Sequence, residues 1–167
     1  MTQPEIIIIG SGMGGASLAA GLAPSGKQIL ILEKGDWLKD SPQARDGAAI
    51  FGGYFRSDET WLDQAGKPFH PGNYYYPGGN TKFYGAVLLR YRAEDFAPLQ
   101  HVEGKTPGWP LDYAQMEPWY TTAEVLYQAH GVLGYDPTEP PHSTPYPYPP
   151  VPDEPVVADL AARLKAQ

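Results

Sequence analysis

The residues best suited to chemistry lie near the amino end of the sequence. Gly10-Ser11-Gly12-Met13-Gly14-Gly15 contains a GxGxxG pattern with glycines at 10, 12 and 15, and an acid, Glu33, follows eighteen residues after Gly15. Each position has a physical role in holding a dinucleotide. Gly10 permits a tight turn, Gly12 lets a pyrophosphate approach bare backbone, and Gly15 lets a helix lie close to a sheet. The N–H groups and positive dipole end of that helix face the phosphates. An acid at the spacing of Glu33 is placed to bond a ribose hydroxyl, and its charge would repel a 2′-phosphate.

The elements needed to position these groups are present. Glu5-Ile6-Ile7-Ile8-Ile9 is a β-branched run suited to a strand buried on both faces of a parallel sheet. Residues 16–23 are rich in small side chains and predict a closely packed helix, ended by Pro24-Ser25-Gly26. Gln28-Ile29-Leu30-Ile31-Leu32 predicts the second buried strand, with Glu33 at its tip. The alternative is a glycine-rich turn that binds nothing. This unit does not by itself separate FAD from NAD.

A second glycine pair, Gly78-Gly79, is followed by Asn80 and Thr81 and flanked by aromatic residues. Such a segment offers backbone donors and short polar side chains to a cofactor, or else forms an aromatic-flanked turn in a hairpin. Between the two glycine segments, from Asp36 to about Tyr76, both helical and strand periods fade. Residues 60–62 and 68–70 predict a small hairpin with Gly66 in its turn. A long insertion of this kind suits a loop that covers a ligand.

Downstream, Asp112 and Gln115 form a capping-box pattern, and Pro118 suits the first turn of a second helix running to about His130. Trp119, Ala123, Leu126, Tyr127 and His130 share a helical face, which predicts a packed core histidine, with Gly131 as the C-cap. Residues 135–155 are proline-rich and predict a rigid loop, and Val156–Lys165 an amphipathic helix. His70, His101, His130 and His142 lack metal-site spacing and are expected to be structural.

The net charge of −7 argues against a nucleic-acid partner, which requires clustered basic charge. There are no cysteines, so disulfides, zinc–thiolate sites and cysteine nucleophiles are excluded. Gly and Pro, 19 of each in 167 residues, predict that loops occupy much of the chain. No signal-like or membrane-spanning run is present, so the expected address is the cytoplasm.

Several segments resemble the glucose–methanol–choline oxidoreductase family. They are the first glycine loop, Glu33-Lys34-Gly35 after the second strand, and Gly78-Gly79-Asn80-Thr81. Residues 90–96, 108–113, 120–124 and 136–141 are similar to the branch related to bacterial gluconate and sugar dehydrogenases. Tyr84 departs from the pattern: it precedes Gly85 where glucose-oxidase-like members have Asn. The resemblance implies an α/β fold, a Rossmann-like FAD-binding βαβ unit with long loop insertions and an incomplete parallel sheet.

The resemblance also implies FAD as cofactor. Gly10, Gly12, Gly15 and Glu33 would hold the ADP half, Ser11, Met13, Gly14 and Lys34 would also contact the cofactor, and Gly79, Asn80 and Thr81 would lie near the isoalloxazine half. The implied reaction is hydride transfer from a CH–OH carbon of an alcohol, polyol or sugar to flavin N5. In the family, the proton-accepting histidine, with its His or Asn partner, lies near the C-terminus. The chain is therefore expected to be an amino-terminal portion without the catalytic base: residues 1–134 in the FAD-binding domain, 135–155 a proline-rich loop, 156–167 the start of a helix. The alternatives are part of an NAD-dependent dehydrogenase and a non-catalytic nucleotide-binding protein.

Overall fold

Four consecutive isoleucines, Ile6–Ile9, form strand β1, where β-branched side chains suit the pleated backbone. In the computed structural model, which describes residues 3–85 and 87–166, the chain divides into two units that meet in sequence at residues 86 and 87. In the first unit β1 leads into helix α1 (Met13–Leu22), then a 3-10 turn (Ala23–Ser25) and strand β2 (Ile29–Leu32). The strands pair in parallel, from Ile6 opposite Ile29 to Ile9 opposite Leu32. This is a Rossmann-like βαβ unit in a mixed α/β chain. Helix α1 begins three residues earlier than its small-residue run predicts, because Met13, Gly14 and Gly15 form its first turn. It tightens into the 3-10 turn at Ala23-Pro24-Ser25, and Gly26 closes it at φ +70°.

The strands are not buried on both faces as the sequence predicts. Ile8 is buried toward α1, whereas Ile7 is 56% and Ile9 87% exposed. Side chains alternate across a strand, and only the α1 side is covered in this two-stranded sheet. Each aliphatic side chain left in water forgoes about 1.5–3 kcal/mol of burial.

The stretch after β2 holds more regular structure than its fading periodicity predicts. Ser41 caps a 3-10 turn (Pro42–Arg45), and the Asp46 carboxylate accepts from the Ala48 N–H at 2.9 Å to start helix α2 (Gly47–Phe51). Both are too short for a period to register. The predicted hairpin forms from β3 (Trp61–Leu62) and β4 (Pro68–Phe69), antiparallel, with Gly66 at φ +77°. Asp63 Oδ1 braces its turn by accepting from the N–H groups of Ala65 and Lys67. Buried Phe55 stacks on Phe83 with ring centroids 4.9 Å apart, and Tyr74 packs against the same ring.

The second unit contains an antiparallel pair, β5 (Leu99–His101) and β6 (Gly104–Thr106), and helices α3 (Tyr113–Leu126) and α4 (Pro155–Lys165). The capping box at α3 is present in both directions: Asp112 Oδ1 accepts from Gln115 N–H at 2.9 Å and Gln115 Oε1 from Asp112 N–H at 3.0 Å. Pro118 does not open a second helix. It lies inside α3, which continues through it to Leu126.

Helix α3 ends four residues before His130, and its inner face is not the one the apolar spacing indicates. Trp119 is 67% exposed, while Tyr113 and Glu124 are buried. The reason is Arg90, whose buried guanidinium bonds Tyr113, Glu117, Thr121 and Glu124 along the helix. His130 is exposed rather than packed in a core; its Nδ1–H donates to the Pro149 carbonyl at 2.6 Å and its ring stacks on Tyr148. The residue past the helix end with positive φ is Gln128, at +54°, not Gly131. Gly131 answers a different need, since a Cβ there would lie 2.6 Å from the Tyr146 ring.

The proline-rich segment is strapped to α3. Tyr113 Oη–H donates to the Pro141 carbonyl at 2.6 Å, and Glu117 Oε1 accepts from Ser143 through both its N–H and its hydroxyl. Helix α4 forms as its amphipathic pattern predicts, and its Val156, Leu160 and Leu164 are exposed. Among the described residues, no helix is long and apolar enough to cross a membrane.

Candidate functional site

The first glycine loop follows from backbone constraints. Gly10 N–H donates to the Leu32 carbonyl at 2.7 Å, continuing the ladder one residue past β1, while Gly10 itself sits at φ +91°. That conformation is costly for any residue with a Cβ. Gly12 is the N-cap of α1, so no side chain caps the helix, and no acid lies in its first turn. A Cβ on Gly15 would lie 2.0 Å from the Gly10 carbonyl oxygen and 3.2 Å from Ile8 Cγ2, so only glycine permits this approach of helix to strand. A Cβ on Gly14 would meet nothing within 4 Å.

Glu33 stands beside this loop. Its Oε2 accepts from Ser11 N–H at 2.9 Å and from Ser11 Oγ–H at 2.6 Å, and its Oε1 accepts from Gly35 N–H at 3.0 Å. The Ser11 hydroxyl, then the Gly35 and Ser11 N–H groups, hold the carboxyl down at about 2, so it is ionised at neutral pH. The Lys34 backbone N–H pulls weakly in the same direction, so the carboxylate is ringed by donors from Ser11, Lys34 and Gly35.

The second glycine segment comes to the same place. Gly78 and Gly79 both have positive φ, at +96° and +56°, and lead into a 3-10 turn (Gly79–Phe83). Gly78 N–H donates to Ser11 Oγ at 2.9 Å. A Cβ on Gly79 would stand 3.7 Å from Gly12 Cα, and one on Gly12 would stand 3.9 Å from the Gly78 carbonyl oxygen. The two glycine segments, 66 residues apart between Gly12 and Gly78, thus lie close enough that one added methyl on either would reach the backbone of the other. The hairpin alternative for this segment is not what forms.

The side chains of Asn80 and Thr81 serve their own turn. Asn80 Oδ1 accepts from Tyr74 N–H at 3.0 Å, and Thr81 Oγ1–H donates to the Gly78 carbonyl at 2.6 Å. Lys34 turns to the insertion instead: its Nζ lies 3.2 Å from Glu59 Oε1 and 3.8 Å from the Tyr75 ring centroid. Tyr75 Oη–H also bonds Glu59, and these contacts lower the Glu59 carboxyl and raise the Lys34 ammonium relative to their ordinary values. A Cβ on Gly35 would fall 1.8 Å from the Tyr75 carbonyl oxygen, so the insertion lies directly on the end of β2. Glu59 and Tyr75 carry no spacing signal in the sequence and are visible only in three dimensions.

Residues 8–38 match the family described as NAD(P)-binding Rossmann-like domain. The chain is 33% identical over 146 residues to 6'''-hydroxyparomomycin C oxidase of Streptomyces lividus, covering 79% of this chain and 24% of that protein. It is 30% identical over 173 residues to paromamine 6'-oxidase of Streptomyces fradiae, covering 80% and 29%. It is 27% identical over 156 residues to 2-methyl-1,2-propanediol dehydrogenase of Mycolicibacterium austroafricanum, covering 83% and 26%. Among solved structures, pyridoxine 4-oxidase from Mesorbium loti matches 56% of this chain and 20% of its own, with 27% identity and a TM-score of 0.45. The chain spans about a quarter of the length of the curated relatives it matches.

Proposed function

We propose that this chain, which belongs to the glucose–methanol–choline oxidoreductases and carries their nucleotide-binding portion, binds FAD for the oxidation of a CH–OH group. The observation that carries this reading is the meeting of Gly12 with Gly78 and Gly79 beside the ionised Glu33. The residues fit the cofactor's chemistry. The glycine turn from Gly10 through Ser11 to Gly12, and the α1 amino end with Met13, Gly14 and Gly15, shape a place for a pyrophosphate at the start of the helix. Glu33 suits a ribose and disfavours a 2′-phosphate. Gly79, with Asn80 and Thr81 spent on their own turn, would serve the flavin half through backbone groups.

When bound, FAD would supply the hydride acceptor that turns a CH–OH carbon into a carbonyl. The substrate class we propose, a small alcohol, polyol or sugar, is supported by relatives named 6'''-hydroxyparomomycin C oxidase and 2-methyl-1,2-propanediol dehydrogenase. The part of this chain in that reaction is to bind and orient the cofactor. Lys34, held by Glu59 and Tyr75, acts on the insertion that covers the end of β2 and not on the nucleotide directly.

A second reading, binding of NAD, is favoured by the family description matched at residues 8–38. Separate equilibrium titrations of the chain with FAD and NAD distinguish the two. The expected result is saturable FAD binding with quenched flavin fluorescence and no comparable affinity for NAD. Binding of NAD alone would overturn the FAD reading.

A further inference from the structure

We propose that Ser11 is a positioning residue whose hydroxyl locks the acid Glu33 to the second glycine turn, and that it is not itself a phosphate ligand. The inference rests on the dinucleotide site proposed above, but its geometry is independent of any cofactor. Ser11 Oγ–H donates to Glu33 Oε2 at 2.6 Å, and the same oxygen accepts from Gly78 N–H at 2.9 Å. A serine hydroxyl has one proton to give. Here that proton goes to a carboxylate, so none is left for a phosphate oxygen. The length is that of a charge-assisted O–H···O⁻ bond, the stronger class.

One small side chain thereby joins three segments distant in sequence: the loop before α1, the tip of β2 and the glycine turn at 78. Both neighbours of Ser11 are glycines, and Gly78 sits at φ +96°, so the backbone on either side has unusual freedom to wander. The hydroxyl removes that freedom at the point where the two loops meet. The lowering of the Glu33 carboxyl has the Ser11 hydroxyl as its largest cause, in agreement with this geometry. Replacing the hydroxyl by hydrogen leaves Gly78 N–H without its partner and Glu33 one donor short.

The test uses the full chain without cofactor, then with FAD. In the wild type, the Glu33 side-chain carbon should still report an ionised carboxylate at pH ~3.5, below the ordinary glutamate value of about 4.3. The Gly78 amide should be protected from hydrogen exchange. In Ser11→Ala, Glu33 should titrate clearly higher and the Gly78 amide should exchange faster, while Ser11→Thr, which keeps the hydroxyl, should restore both. FAD affinity should fall about tenfold in Ser11→Ala, the scale of one hydrogen bond to a charged group.

An ordinary Glu33 titration or an unprotected Gly78 amide in the wild type would overturn the proposal without any variant being made. So would a Ser11→Ala chain in which neither signal moves. If both signals move as expected and the wild type binds neither FAD nor NAD, the lock stands and the dinucleotide reading fails. If the wild type binds FAD while the signals stay fixed, the dinucleotide reading stands and the lock fails.

Discussion

Arg90 and Glu124 meet fork to fork, with Arg90 Nε and Nη2 each 2.7 Å from a different oxygen of the carboxylate. The remaining N–H groups reach Tyr113 Oη, Glu117 Oε1 and Thr121 Oγ1 at 3.0–3.1 Å, so all five donors of the guanidinium are engaged. Its side chain is 2% exposed. Burial opposes the charge, but the bonds to Glu124, Tyr113 and Glu117 outweigh it and hold the guanidinium well above its ordinary pKa. The second unit is thus organised around a satisfied buried cation that fixes one face of α3.

Breaking that set from one side should cost far more than an exposed ion pair. Arg90→Met leaves Glu124 buried without its partner, and a loss of about 3–5 kcal/mol is expected on that ground. Arg90→Lys keeps the charge but has three donors and no planar fork, so it should also be destabilising. Denaturant unfolding, with hydrogen exchange to follow residues 87–166, measures both. A loss below about 1 kcal/mol for Arg90→Met would show that the cluster contributes no more than a surface pair.

Gln128 offers a change of the opposite sign. It occupies the left-handed region at φ +54°, while Ala129 N–H bonds the Glu124 carbonyl at 2.8 Å and Gln128 N–H the Val125 carbonyl at 3.3 Å. This pattern is a Schellman cap, whose left-handed position favours glycine. Gln128→Gly should stabilise the second unit by about 0.5–1 kcal/mol, the left-handed cost of a side chain less the added chain entropy of glycine. A melting temperature that falls in Gln128→Gly would refute it.

The contrast between Gln128 and Gly15 shows what the sequence made legible. Gly10 and Gly15 can be read because backbone angle or close approach admits only one residue type, and the pattern repeats that demand at fixed spacing. The hairpin at 61–69 was readable for the same reason, through Gly66 and Asp63. Gln128 carries no such mark, since many residues tolerate its conformation at some cost. Arg90 leaves no such mark because its partners are polar, whereas apolar periodicity points to Trp119 and Leu126, which face outward. Ser11 falls within the loop that the glycine pattern marks, but its bond to Gly78 spans 67 residues, and nothing local announces it.

The glycines of the first loop should separate sharply under substitution. Gly14→Ala places a methyl in open space within α1 and replaces a poor helix former, so stability should hold or rise by up to about 1 kcal/mol. Gly15→Ala puts a methyl 2.0 Å from the Gly10 carbonyl oxygen, and the helix must move off the strand. Overpacking of this kind costs about 1–3 kcal/mol or more. Thermal unfolding of the two variants side by side reads the difference, and equal melting temperatures would mean that α1 does not press on the loop as the geometry requires.

Acid should weaken each unit, and in each the most strongly depressed carboxylate can be named. Glu33 is held at about 2 by the Ser11 hydroxyl and the Gly35 and Ser11 N–H groups, and Glu117 at about 2 by Ser143 N–H and then Arg90. A carboxyl depressed in the folded state stabilises fully above its unfolded value, about 4.3, and loses that contribution as pH falls through the folded value. Over the interval from about 4.3 to 2 the unfolded chain binds more protons, so stability must fall with pH. Glu33→Gln removes that group's titration from the first unit and Glu117→Gln that group's from the second; Glu59 and Asp136, also lowered, remain, so each variant should reduce the decline of its own unit only. Hydrogen exchange between pH ~5 and ~3, read separately for residues 3–85 and 87–166, measures the two slopes. If Glu33→Gln leaves the slope of the first unit unchanged, the Ser11 and Gly35 bonds do not hold that carboxylate in solution.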